Sequence, residues 1–161
     1  IDLFLNILKW KIQSKFFGII YSTMSRITLD QMYMKIAQVV ASRSSCDRRK
    51  VGCIIVKNNQ ILSEGYNGTP HGWYTNNCED EDGETKDCVI HAEANAIAKA
   101  ASSSISCRDA DMFCTLQPCY ECAKLIVQSN IERVVYDKIY RDTRPIDYMR
   151  ECGIRVQKYD R

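Results

Sequence analysis

Ala110-Asp111-Met112-Phe113-Cys114-Thr115-Leu116-Gln117-Pro118-Cys119-Tyr120-Glu121-Cys122 decides the fold. Its first seven residues read as a buried strand, Pro118 suits a helix start, and Cys119 to Ser129 supplies the helix. Cys119 and Cys122 are three apart, so both side chains leave that helix on one side. The partial positive charge of a helix N-terminus favours their thiolates. A second helix opens the same way with His91-Ala92-Glu93 and continues to Ala101, with Ala94, Ile97, Ala98 and Ala101 expected on its buried stripe. Two helix starts lying side by side would bring one histidine and two thiolates onto one metal. That donor set suits a tetrahedral zinc whose fourth position stays open to water, the arrangement of a catalytic site. Glu93, two residues past the histidine and off the metal, is then available to move protons. A structural zinc knuckle would instead supply four protein ligands and has no use for such a base.

Working outward, Thr28 or Asp30 can cap a helix over Leu29 to Ser42, whose apolar residues recur at helical spacing. Ser44 to Lys50 is a polar, basic loop leading into Val51 to Val56, a β-branched run apolar on both faces and therefore a buried strand. Asn58-Asn59 makes a positive-φ hairpin turn into a second strand, Gln60 to Tyr66. Asn67 to Pro70 closes that strand, and Gly72 to Asp87 forms a long loop with the acidic run Glu79 to Glu84. Loops of that length are commonly functional or disordered. Beyond the central helix, Ile131 to Asp137 reads as a strand, Pro145 to Cys152 as a helix stopped by Gly153, and Ile154 to Tyr159 as an edge strand. The order α-β-β-α-β-α-β-α-β describes a three-layer α/β/α sandwich around a five-stranded mixed sheet.

With 161 residues, 45% apolar and 26% charged, the chain is sized for one domain with a proper core. A formal charge of +2 and a pI of about 8.1 are too balanced to imply a nucleic-acid-coating surface, which leaves a small substrate as the default. Nine cysteines beside a metal motif, with no signal peptide, point to metal binding in a reducing cytoplasm, or a host's cytoplasm for a viral protein. Residues 1–23 mix apolar residues with Lys9, Lys11 and Lys15, too interrupted for a membrane span of about 20 residues. They read as an N-terminal extension before Met24, with no function assigned, ahead of one functional domain over 24–161.

The His91-x-Glu93 and Pro118-Cys119-x-x-Cys122 pair resembles the cytidine and deoxycytidylate deaminase superfamily. Ser42 to Gly52, Gly65-Tyr66-Asn67-Gly68-Thr69-Pro70, Val134-Val135-Tyr136 and Tyr140-Arg141 make it more similar to deoxycytidylate (dCMP) deaminases, from about Leu29 to the C-terminus. The resemblance implies the deaminase-type sandwich, catalytic Zn2+ on His91, Cys119 and Cys122, and Glu93 as proton shuttle in the conversion of dCMP to dUMP and ammonia. It also implies that Asn67 contacts the deoxyribose while Arg48 and Tyr140 reach the 5′-phosphate, with Arg49, Lys50 and Arg141 as further candidates. A guanidinium and a phenol suit phosphate oxygens in any case. Asn67 has the alternative role of serving its turn. Some relatives carry a second, structural zinc, for which Cys46, Cys78, Cys88 and His71 stand at plausible positions. A homo-oligomer, commonly a hexamer, activation by dCTP with Mg2+ and inhibition by dTTP complete what the resemblance implies. The competing readings are a tRNA adenosine deaminase, a free cytidine deaminase and a zinc-stabilised binding module.

Overall fold

A computed structural model describes residues 26–160, so the extension expected over 1–23 lies outside the described residues. Four helices, α1 (Leu29–Ala41), α2 (Ala92–Ser102), α3 (Tyr120–Gln128) and α4 (Arg144–Glu151), pack with five strands. The strands are β1 (Gly52–Lys57), β2 (Gln60–Tyr66), β3 (Asp111–Leu116), β4 (Arg133–Lys138) and β5 (Arg155–Lys158). The sheet order is β2-β1-β3-β4-β5. β1 is antiparallel to both neighbours, with Cys53 opposite Cys114, while β3, β4 and β5 run parallel. The α/β/α sandwich expected from the sequence is therefore the one observed.

Local chemistry accounts for the connections. Asn58 and Asn59 take φ of 51° and 61°, the left-handed pair that a two-residue hairpin turn needs. Thr28, rather than Asp30, caps α1: its hydroxyl accepts from the Gln31 N–H, and the Gln31 side chain accepts from the Thr28 N–H, a reciprocal capping box. Asp30 is used elsewhere. It takes a two-pronged hydrogen bond from Arg133 at 2.8 and 2.9 Å, and Arg133 also bonds Asp111 at 2.6 Å, which fastens α1 to the ends of β3 and β4.

β1 divides the core between its two faces, as alternation along a strand requires. Ile54 and Val56 face α1 with Phe113, Val135, Tyr33 and Met34. Cys53 and Ile55 face the other three helices with Met112, Val134, Ala96 and Met149. Burying each large aliphatic side chain contributes about 1.5–3 kcal/mol. Two glycines set how closely the helices approach. A Cβ on Gly52 would stand 2.1 Å from Ala37 O of α1, and one on Gly65 would stand 2.2 Å from Ala92 O of α2.

That second approach corrects one expectation. The residues α2 buries are Ala92, Glu93, Ala96 and Ala100, not the stripe Ala94, Ile97, Ala98 and Ala101. Gly65 lets the backbone of α2 at Ala92 and Ala96 come directly onto β2, and Ile97 lies at the flank, where it is half-buried. Among the described residues, no helix is long and apolar enough to cross a membrane.

Candidate active site

α2 and α3 pack against each other on one face of the sheet, and each begins with a residue whose side chain does no capping. His91 is the N-cap of α2 and Cys119 that of α3, both in extended backbone. Cys122 follows in the first turn of α3. His91 Nδ1 lies 3.3 Å from Cys119 Sγ and 3.4 Å from Cys122 Sγ, and the three donor atoms fall within 4.8 Å of one another. Zn–S bonds of about 2.3 Å and Zn–N bonds of about 2.0–2.1 Å would put tetrahedral neighbours roughly 3.6 Å apart. An imidazole and two thiols at this spacing fit zinc in both donor type and size.

Proton positions in the metal-free cluster follow from its hydrogen bonds. Cys119 is lowered to about 4, foremost because the Cys122 thiol donates to it and then because His91 does. Cys122 is correspondingly pushed up, by that same hydrogen bond and by burial. His91 is raised above its ordinary value, chiefly by its hydrogen bond to Cys119. The protons that His91 and Cys122 direct at this one thiolate are what a divalent cation would replace. Glu93 is 4% exposed, and burial, its largest influence, raises its carboxyl above the usual carboxylate range. A carboxyl raised in this way holds a proton more readily than a free one, which suits a group that must both accept and return one.

His91, Glu93 and Cys119 line a cavity of about 340 Å3 whose wall also includes Asn67, Arg48, Arg49, Tyr140 and Arg141. The two ends named in the sequence are thus brought to one cavity. Two guanidiniums stand over the Tyr140 ring, with Arg49 at 4.9 Å and Arg141 at 5.9 Å from its centre. Arg48 is paired with Glu84 of the acidic run. Asn67 lines the cavity while its side chain accepts from the Val51 N–H and donates to the Arg49 carbonyl, both at 2.8 Å. It therefore serves the backbone as well as facing the cavity.

The four-residue second zinc set is not assembled. Cys46 and Cys78 are joined as a disulfide with a Cα–Cα distance of 5.0 Å, Cys88 is a free, half-buried thiol, and His71 is exposed. The reason lies in how the long loop folds. The turn closed by Trp73 N–H on Pro70 O holds His71 at the surface, while Glu79 accepts from the Asp47 and Arg48 N–H groups and draws Cys78 directly onto Cys46. Among the described residues, His91, Cys119 and Cys122 form the one metal-capable group of three.

Three contributors were not apparent in the sequence. Gln117, 3% exposed, accepts from the Tyr140 N–H and donates to the Asp142 carbonyl, holding the loop that presents Tyr140. Its one sequence signal is a polar residue between a buried strand and Pro118. Glu79 and Glu84 reach the Arg48 loop across more than thirty residues, and no local pattern marks them.

The protein-family model that describes the cytidine and deoxycytidylate deaminase zinc-binding region matches residues 27–138. The chain is 35% identical over 145 residues to a deoxycytidylate deaminase of Saccharomyces cerevisiae, an alignment covering 83% of this chain and 46% of that one. It thus spans about half the length of that yeast relative. A deoxycytidylate deaminase of Mycobacterium phage D29 is 37% identical over 128 residues, covering 71% of this chain and 98% of that one. The crystal structure of dCMP deaminase from the cyanophage S-TIM5 in complex with dCMP and dUMP superimposes with a TM-score of 0.80 at 44% identity, covering 84% of this chain and 99% of that one. The zinc-binding description of the family agrees with the histidine and two cysteines found together here.

Proposed function

The chain belongs to the cytidine and deoxycytidylate deaminase family, and from that premise we propose that its domain over 24–161 hydrolyses dCMP to dUMP and ammonia. The observation that carries the reading is one cavity whose wall holds a buried carboxyl, His91 and Cys119 of the His91–Cys119–Cys122 group, Arg48 and Tyr140. Such a cavity suits a ligand with a polar heterocycle at one end and a phosphate at the other. The relatives named above support the substrate, because they are dCMP deaminases and one of their structures holds dCMP and dUMP.

His91, Cys119 and Cys122 would hold zinc, which supplies the Lewis acidity that makes water nucleophilic near neutral pH. Glu93 takes a proton from the attacking water and delivers it to the ring nitrogen beside the amino-bearing carbon. It then relays the second proton to the departing amine, so water adds and ammonia leaves with no net change at the carboxyl. Burial raises the Glu93 carboxyl and suits it to both transfers. Asn67 offers its remaining donor capacity to the deoxyribose, and Arg48 and Tyr140 bind the 5′-phosphate once it displaces Glu84. We extend the reading to a homo-oligomer of the hexameric kind, activated by dCTP with Mg2+ and inhibited by dTTP.

Ammonia release from the zinc-loaded protein tests this, with dCMP, deoxycytidine and a tRNA adenosine stem-loop compared with and without dCTP. Turnover of dCMP, raised by dCTP, is expected. Turnover of the RNA alone, or equal rates on dCMP and deoxycytidine, would overturn the substrate. Arg48→Ala should lower activity on dCMP far more than on deoxycytidine, and equal loss on both would refute the phosphate role.

A further inference from the structure

Beside the catalytic cavity lies a second one of about 690 Å3, lined by Arg48, Arg49, Lys50, Lys138, Tyr140 and Arg141. Arg48, Arg49, Tyr140 and Arg141 belong to both walls, so the two spaces meet at the end assigned to the phosphate. Arg48 is already paired with Glu84. Among the described residues, Arg49, Lys50, Lys138 and Arg141 have no carboxylate within ion-pair distance. The one acidic residue in this wall is Asp137, which accepts a hydrogen bond from Gln38 at 3.4 Å. Four cations against one carboxylate is more positive charge than a phosphate monoester, at about −1.5 to −2, requires. None of Gly65 to Pro70 contributes to this wall.

We propose that this second cavity is a polyphosphate subsite, so that a cytosine deoxynucleoside 5′-diphosphate enters the catalytic cavity with its β-phosphate among Arg49, Lys50, Lys138 and Arg141. The inference rests on the dCMP reading of the first cavity and extends it from a monophosphate to longer phosphate chains. A diphosphate adds negative charge where the wall has its surplus, in a concave space that restricts access of screening ions. A single-stranded nucleic acid is the less suited occupant. Such ligands use successive aromatic platforms, whereas this wall has one aromatic residue, Tyr140, whose ring already has Arg49 and Arg141 against it.

The test is calorimetric titration of the zinc-loaded full chain carrying Glu93→Gln, which prevents turnover, with dCMP, dCDP, inorganic tripolyphosphate and a single-stranded DNA oligonucleotide. At low ionic strength dCDP should bind about tenfold more tightly than dCMP, with the difference shrinking at high salt. Saturating dCMP should exclude dCDP. Adding Lys138→Glu, an exposed change, should weaken dCDP about tenfold and dCMP less than about twofold. The inference is overturned if dCDP binds no more tightly than dCMP, if Lys138→Glu weakens both alike, or if dCDP still binds beside saturating dCMP. It is equally overturned if the oligonucleotide alone depends on Lys138. If neither nucleotide binds while tripolyphosphate binds and is lost in Lys138→Glu, the dCMP reading fails and the polyphosphate selectivity of the cavity stands.

Discussion

Replacing Gly65 by alanine would test whether the seating of α2 on β2 governs the site. The new Cβ would stand 2.2 Å from Ala92 O, 2.5 Å from Ala96 N and 3.1 Å from Ala96 Cα. Comfortable contacts to carbon lie near 3.5 Å, so α2 must retreat by roughly 1 Å. Its backbone, unlike a side chain, has no rotamer through which to yield. Overpacking costs about 1–3 kcal/mol, occasionally more, and contact with helix backbone puts this case at the upper end. For a chain of this size, about 3 kcal/mol lowers Tm by roughly 6–12 °C. Because His91 and Glu93 begin α2, the same retreat should lower kcat by about 100-fold. Gly52→Ala strikes the α1 backbone equally closely and should cost similar stability with much less effect on kcat, since α1 carries neither residue. Gly68→Ala, with nothing within 4 Å of its Cβ, should leave Tm within about 2 °C. Thermal unfolding by circular dichroism and ammonia release on dCMP read both quantities. A Gly65→Ala protein that melts and turns over like the wild type would refute the reasoning.

Glu93→Gln should lower kcat by about 10²- to 10⁴-fold while metal analysis still finds one zinc per chain; retention of a tenth of the activity would remove Glu93 from the proton path. Zinc uptake should strengthen with pH, because zinc must displace the Cys122 proton throughout and the His91 proton below that residue's raised pKa, while Cys119 is a thiolate above about 4. Competition against a chelator should therefore show log affinity climbing with a slope of about 2 at low pH, easing to about 1 above the folded His91 pKa; a flat or falling profile would contradict the cluster's protonation. The sign for the metal-free fold is opposite: stability from the raised His91 pKa is complete below its unfolded value and is lost as pH rises through the folded one. Gln117→Ala should raise KM for dCMP several-fold with less effect on deoxycytidine, because Tyr140 loses the anchor of its loop; an equal rise on both would assign Gln117 to the fold alone.

Much of this molecule was legible because its signals are local. Strand alternation, the Asn58-Asn59 turn and the paired helix starts each lie within a few residues, so all nine elements were expected in order. Boundaries moved by one or two positions where His91 and Cys119 proved to be caps rather than helix, and where α4 began at Arg144 rather than Pro145. The metal donors were legible for the same reason: a short spacing at a helix start already fixes where side chains point. The buried face of α2 was not, because it depends on Gly65 in another element. Nor was the Cys46–Cys78 link, 32 residues apart, since nothing local in either loop records the approach of the other. That Arg48 and Tyr140 share a cavity with His91 and Glu93 was expected through resemblance, whereas Gln117, Glu79 and Glu84 became visible once the loops were folded.

Asn67 is tied to the carbonyl of Arg49 and the N–H of Val51 by its side chain, and its own N–H reaches the Val51 carbonyl at 3.2 Å. It behaves as an added strand partner for the basic loop while facing the cavity. The consequence concerns how such a site can change over evolutionary time. Under the proposed roles, a substitution at position 67 would loosen the segment next to Arg48 as well as change the contact offered to the sugar, so the two ends of the ligand would not be tuned independently. New nucleotide preferences would have to arise at residues that serve the ligand alone, such as the exposed lysines and arginines at the rim, leaving this asparagine as a fixed hinge between lineages.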